Sequence, residues 1–253
     1  STDNCEIASI SIDQSSFDCS NVAGSGSNEY ALSFDGNDVV TIPDSPDLRI
    51  QGSMSVEAWF KVDAFAGDWV RVVGKGSPGP RNYGLWYHPN GYFLFQQYGG
   101  GVELIYTRAI TPGQWYHIAG VNNNGQGKLY IDGQLVKTSS GGTTPALSAD
   151  PLTIGYAGFH AYHNGQIDEV RVWNVARTDQ EISDNYNLGL AGNETGLVAY
   201  YNMEEGQGSS ISDLSSNGHN GQINGAVFTS GSDDIGGSTN GGITAILPFA
   251  APS

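Results

Sequence analysis

Four oxygen-bearing side chains stand where strands meet tight turns. Asp35, Asn37 and Asp38 crowd the turn Phe34-Asp-Gly-Asn-Asp38, and Asp168 lies near the start of Gly165-Gln-Ile-Asp-Glu-Val-Arg-Val-Trp-Asn174. Carboxylates and amide oxygens are the hard donors that calcium prefers, and backbone carbonyls at a strand end can add to them. A plainer alternative stands beside that reading. Asp35 can satisfy amides of its own turn, and Asp168 can pair with a nearby basic residue.

Aromatic residues supply a second kind of chemistry. Sugar binding asks for flat apolar faces flanked by polar groups. Gly155-Tyr-Ala-Gly-Phe-His-Ala-Tyr-His-Asn164 carries Tyr156, Phe159, His160, Tyr162 and His163 in a glycine-containing loop just ahead of Asp168. Arg81-Asn-Tyr-Gly-Leu-Trp-Tyr-His-Pro-Asn90 carries Trp86, Tyr87 and His88. In a strand one of Trp86 and Tyr87 points out if the other points in. Trp59, Trp115 and Trp173 read as core, and some of the tyrosines can fill it too.

Catalytic constellations are absent from the sequence pattern. Glycoside hydrolysis calls for carboxyl groups that share a face, and the chain has no Glu-x-Asp-x-x-Glu run. Asp168 and Glu169 are adjacent, as are Glu204 and Glu205, so strand geometry sends each pair to opposite faces. No Gly-x-Ser-x-Gly elbow occurs. The histidines at 88, 117, 160, 163 and 219 lack metal-site spacing. The expectation is a binding protein rather than an enzyme, with a polysaccharide hydrolase or lyase as the alternative.

The elements that would hold these residues are strands. Tyr30 to Pro43 reads as two short strands around Asp35-Gly36. Met54 to Val62 alternates Met54, Val56, Ala58 and Phe60 against Ser55, Glu57 and Trp59. Hairpins follow over 69–73, 83–87, 92–98 and 102–106, then 115–121. In 128–136, Asp132-Gly133 favours a type I′ turn. Residues 151–156 lead into the Asp168 strand, which carries a slip near its end. Leu197 to Met203 and Gln222 to Phe228 supply two late strands. One helix begins at Thr178, whose cap is completed by Glu181 three residues on. The phrase His-Asn-Gly-Gln-Ile occurs at 163–167 and 219–223, which marks two similar turn-to-strand entries and not a repeat architecture.

Composition fits this pattern. The chain has 253 residues, 36 of them glycine, and many short strands with glycine-rich turns suit a sandwich or jelly roll. A net charge of −16 with ten basic residues argues against nucleic acid and anionic membrane surfaces, and tolerates divalent cations. No apolar run approaches the ~20 residues that span a bilayer. Cys5 and Cys19 are close enough in sequence for a disulfide in an oxidising compartment, with two unpaired thiols as the alternative. No signal peptide precedes Ser1 and no Met starts the chain, which reads as a mature or excised fragment. Residues 231–242 read as a linker and 243–253 as a short apolar tail.

Taken in order, several segments resemble the laminin G-like branch of the concanavalin A-like jelly rolls, close to pentraxins. They are Leu32-Ser-Phe-Asp-Gly36 with Val39-Val40, Ser55-Val-Glu-Ala-Trp-Phe60, Trp115-Tyr-His-Ile-Ala119, Leu129-Tyr-Ile-Asp-Gly133, Ile154-Gly155, Asn164-Gly-Gln-Ile-Asp-Glu-Val-Arg-Val-Trp173 and Asp213-Leu-Ser-Ser-Asn-Gly218. The resemblance implies an all-β, two-sheet antiparallel jelly-roll sandwich with one short helix near 178–188. It also implies that the Asp35 and Asp168 regions meet at the rim and share a calcium ion. The opening Asp3-Asn-Cys…Phe-Asp-Cys-Ser-Asn-Val22 resembles part of an immunoglobulin-like repeat of very large bacterial surface proteins. The expected organisation is a connector over 1–27, the jelly roll over 28–229 and a linker with tail over 230–253. The expected role is an extracellular, secreted or cell-surface binding module of a bacterial adhesin, dependent on calcium. Its partner would be a glycan or cell-surface polysaccharide, with neighbouring domains in a larger chain. A protein-binding adhesion module or a spacer is the alternative within binding proteins.

Overall fold

The computed structural model describes residues 29–230 and Ile235. Cys5 and Cys19, the 1–27 connector and the 243–253 tail lie outside the described residues.

Two antiparallel sheets of eight strands each pack face to face. The first runs β10 (Gln134–Ser139), β9 (Gln126–Ile131), β8 (Trp115–Asn123), β3 (Met54–Val62), β12 (Asn164–Trp173), β1 (Tyr30–Asp35) and β16 (Val227–Ser230). There β13 (Leu197–Tyr201) joins β12 beyond the end of β1, so the two strands share one edge of β12. The second sheet runs β14 (Ser210–Ile211), β15 (Gly221–Asn224), β2 (Val39–Ile42), β11 (Leu152–Ile154), β4 (Val70–Lys75), β5 (Tyr83–His88), β6 (Tyr92–Gln96) and β7 (Glu103–Thr107). This is the jelly-roll sandwich that the sequence implies.

Alternation builds the core. Met54, Val56, Ala58, Phe60 and Val62 of β3 face Tyr83, Leu85 and Tyr87 of β5 and Phe93 and Phe95 of β6 across the interior. Phe60 stacks on Tyr87 at 5.2 Å between ring centroids. The residues between them point outward, as period-two geometry demands. Hence Trp86 leaves the core and Tyr87 stays in it.

The helix forms where its cap is written. Helix α1 (Asp179–Asn185) starts with Thr178 accepting from the Glu181 amide, while the Glu181 side chain accepts from the Thr178 amide. It packs over the outer face of the first sheet. Ile182 meets Ala119, Val121 and Tyr130 there, and Trp59 Nε1 donates to the Tyr186 carbonyl at 2.8 Å. Trp59 and Trp115 are thus buried on that outer face, beside Ala31 and Ile235, and not between the sheets. Ile235 is fully buried although its neighbours read as linker.

Two details depart from the sequence pattern. The strand expected over Gln222 to Phe228 is two strands in different sheets, because the chain crosses at Gly225 with φ +95°. A Cβ there would collide with the Asp38 carboxylate. The slip in β12 falls between Asp168 and Arg171, where Glu169 adopts φ +50°. Such a bulge breaks the alternation. Asp168 stands opposite outward-facing Trp59, and Glu169 bonds to Arg171 and Tyr200 on that same outer side. The two carboxylates therefore do not face opposite ways, which corrects the expectation from adjacency.

Candidate functional site

The Asp35 turn closes on itself. The Asp35 amide donates to Asp38 Oδ2 at 2.8 Å, and the Asn37 amide donates to Asp35 Oδ1 at 3.2 Å. Asn164 Nδ2 donates to the Asp35 carbonyl at 3.0 Å. Asp38 is buried, and burial first, then the neighbouring Asp35 charge, raises its carboxyl above the usual range. The turn therefore brings Asp35, Asn37 and Asp38 together.

Asp168 does not join them. Register sets Asp35 opposite Asn164, four residues before Asp168, which is roughly 13 Å along the strand. Asp168 is fully buried and accepts from the Glu169 amide at 2.7 Å. The expectation of one ion held by all four residues is corrected by this register. No group of three or more His, Cys, Asp or Glu converges as a metal cage among the described residues. The fit to calcium rests on two carboxylates in contact, Asp35 and Asp38, with Asn37 beside them.

A different place gathers the aromatics. An open cleft with about 290 Å³ of empty space lies on the outer face of the second sheet, lined by Trp69, Arg81, Trp86, Leu94, Gln96 and His160. Trp86 of β5 and Leu94 of β6 are cross-strand neighbours on that face, and they form the floor. Trp69, just ahead of β4, is half-buried and forms a wall. Its ring stacks on Tyr92 at 6.1 Å and meets His88 at 5.1 Å.

The loop before β12 overhangs this floor. Its base is closed by the His163 amide on the Gly155 carbonyl at 2.8 Å, and the Ala161 amide bonds the Trp69 carbonyl at 3.1 Å. Phe159 and His160 then sit 5.8 and 6.0 Å from the Trp86 ring. His160 Nδ1 pairs with Asp68 at 3.0 Å, and this hydrogen bond lowers the Asp68 carboxyl below its usual range.

The other expected ligand residues have different positions. Tyr156 and Tyr162 stack on each other at 3.6 Å, and neither lines the cleft. His88 borders it through Trp69. Tyr87 and His163 are fully buried and hydrogen-bonded to each other at 3.0 Å. His163 Nε2 meets the Gln166 carbonyl at 3.2 Å, and burial pushes its imidazole down to about 4. These two belong to the interior, so the ligand contact expected of them is withdrawn.

Sequence reasoning missed Trp69, Arg81, Leu94 and Gln96. Outward parity on β6 marks Leu94 and Gln96, and Arg71 sits between inward Val70 and Val72. Nothing local marks which segments meet.

A second polar cluster lies on the first sheet, closed from solvent. Glu57, His117, Glu169 and Arg171 are all buried there. Arg171 Nη1 donates to the Asn185 carbonyl at 3.1 Å and Nη2 to the Leu188 carbonyl at 2.5 Å. Trp173 Nε1 donates to Glu57 at 2.8 Å, and the Tyr200 hydroxyl donates to Glu169 at 2.8 Å. With the helix and its exit laid over it, this cluster anchors α1 to the sheet.

The chain is similar to several known proteins. A protein of Bacteroides ovatus ATCC 8483, to which carbohydrate binding is provisionally attributed, superimposes with a TM-score of 0.67 at 24% identity, over 80% of this chain and 60% of that one. The heptameric SAP-like pentraxin of Limulus polyphemus gives 0.54 at 14% identity, over 83% of this chain and 97% of that one. At such identities the likeness speaks for the fold alone. Pappalysin-1 of Mus musculus is 37% identical over 89 residues, which is 33% of this chain and 6% of that protein. This chain thus matches only a small part of that relative's length. The model of the concanavalin A-like lectin/glucanases superfamily matches residues 34–183, more than half of the chain, and the chain belongs to that superfamily.

Proposed function

We propose that the protein is a non-catalytic carbohydrate-binding module that works outside the cell, with the Trp69–Trp86 cleft as its sugar site. One observation carries this reading. Two indoles line an open cleft whose rim carries an arginine, a glutamine and a histidine, the mixture of flat apolar face and polar groups that sugar recognition uses. None of the cleft-lining residues is a carboxylate, whereas glycoside hydrolysis uses a pair across the bond. The Bacteroides neighbour's attributed role agrees with this reading.

A calcium ion at the Asp35–Asp38 turn is part of the same proposal. Asp35, Asn37 and Asp38 would hold it with carbonyls and water, and its charge would relieve two carboxylates in contact. The ion would stiffen the turn between β1 and β2, at the end of β1 that pairs with the start of β12.

A glycan array with and without calcium tests the reading, followed by titration of Trp69→Ala. Binding that falls about tenfold or more in this variant supports the cleft. Binding to proteins but no glycan favours an adhesion module, and release of reducing ends from polysaccharides favours a hydrolase.

A further inference from the structure

Arg49, Lys75, Arg108, Lys128, Arg171 and Arg177 each stand within 4 Å of a carboxylate. Lys61, Arg71, Arg81 and Lys137 have no such partner among the described residues; of these, Arg81 lines the cleft and Arg71 packs against its Trp86. For a chain of net charge −16 this is an unusual place to leave two cations unmatched.

Their surroundings are rich in donors. Arg71, the cross-strand neighbour of Trp86 on that outer face, is 1% exposed, with its guanidinium carbon 4.7 Å from the Trp86 ring. Its Nη1 bonds Thr153 Oγ1 and the Gly74 carbonyl, while Nε and Nη2 meet no acceptor among the described residues. Arg81 lines the cleft between Tyr98 and Phe159, at 4.8 and 5.2 Å from their rings, and its buried Nε also lacks an acceptor. Trp86 Nε1 is the fourth such nitrogen. It lies over Gly84, where a Cβ would stand 2.7 Å from it, so the glycine makes room for this placement. Buried donors left without acceptors are costly, and the part of Arg81 that lines the cleft is the part of this cationic cluster a ligand can reach.

The nearby carboxylates are occupied. Asp68 holds His160, and Glu103 accepts from Gln96 Nε2 at 2.7 Å. Asp150 is felt at Arg71 but is held by Ser77 and Ser148. Burial, and then the charge of Arg81, push the Arg71 guanidinium down to about 9, which still leaves it positive at neutral pH.

We propose that the cleft selects an acidic saccharide, a hexuronate whose ring lies against Trp69 and whose carboxylate seats on Arg81, with the charge of Arg71 against Trp86. A guanidinium fork matches a planar carboxylate in a way a lysine does not. The proposal rests on the sugar-binding reading above and deepens it.

Calorimetric titration of the full chain tests it, with tetrasaccharides of galacturonate, mannuronate and glucuronate, their methyl esters, neutral hexose tetrasaccharides and a sulfated galactan. At least one uronate is expected to bind about ten- to hundredfold tighter than its ester. Arg81→Gln should erase that difference without changing the thermal melt, and Arg81→Lys should restore only part of it. If esters or neutral sugars bind as well as the acids, and Trp69→Ala weakens their binding about tenfold or more, the sugar site stands and the acidic preference is overturned. Binding of the sulfated galactan alone overturns the carboxylate assignment in favour of sulfate. If no probe binds, the sugar-binding reading itself fails.

Discussion

Arg171 Nη1 stands 3.8 Å from Glu57 Oε2 on the neighbouring strand, and both side chains are almost wholly buried beneath the exit of α1. Such a pair is held by hydrogen bonds more than by charge alone. Removing one member leaves the others stranded away from water. Arg171→Met would leave the buried Glu57 and Glu169 without their guanidinium, with only Trp173, His117 and Tyr200 to hold them. It is expected to lower the unfolding free energy by about 3–5 kcal/mol in urea titration. Adding Glu57→Gln and Glu169→Gln to Arg171→Met should recover part of that loss. A single substitution without effect would contradict the anchoring role.

Acid should weaken the protein in two windows. His163 is held neutral by burial, with its imidazole at about 4 against 6.5 for the ordinary group. Its contribution is complete above 6.5, falls as the unfolded chain takes up the proton, and is gone below about 4. That window holds roughly 3 kcal/mol. His163→Gln should flatten stability between pH 6.5 and 4. Glu57 opposes its own burial penalty through His117 and then Arg171, and stands at about 2 against 4.5. Its contribution is complete above 4.5 and is lost as pH falls toward 2, so Glu57→Gln should change the slope only in that lower window.

At the cleft, Trp69→Ala and His160→Ala should each weaken glycan binding about tenfold or more, on the order of 1.4 kcal/mol. Tyr156→Ala should leave it unchanged, because that ring spends its face on Tyr162. Equal losses in all three would show that the loop as a whole, and not the cleft, meets the ligand.

Millimolar calcium should raise the melting temperature over that in chelator, since an ion that binds only the folded turn stabilises by mass action. At a hundred times its dissociation constant the gain is about 2.7 kcal/mol. Asp38→Asn should remove the response. Metal analysis of the purified protein should accompany the melt. An unchanged melt with no bound metal would refute calcium at this turn.

Thr178→Ala should cost about 1 kcal/mol through loss of the cap on α1. Amide exchange at the first turn of the helix, and at Glu181 above all, should speed up. Unchanged exchange there would mean that packing of Ile182 holds the helix without its cap.

Local signals proved legible where one element carried them. The nine residues Met54–Val62 alternate cleanly and form β3 with those bounds, and the Thr178–Glu181 box starts the helix. Parity separated Trp86 from Tyr87 but left open which face each took, since that depends on a partner sheet distant in sequence. The hydrophobic pattern showed a slip near the end of the Asp168 strand but not its position at Glu169, because a residue at φ +50° leaves no mark of its own in such a pattern. The cleft was half legible. Trp86, Phe159 and His160 stood out by type, whereas Trp69 and Arg81 matter only because β4, β5 and the loop before β12 converge. Asp35 and Asp168 were linked by resemblance alone, and the register of β1 on β12 holds them apart.

The pairing of β1 with β16 has a mechanical consequence. Tyr30 lies opposite Ser230, so the first and last described strands start and finish at one corner of the sandwich. Tension applied at those two points pulls across the strands and not along them. The rungs between β1 and β16 then carry the load singly and part in succession, like a zip. A chain tugged this way yields at low force and lengthens from that corner. The cleft lies on the outer face of the other sheet, away from this first break, so grip on a ligand there can outlast the opening of the seam.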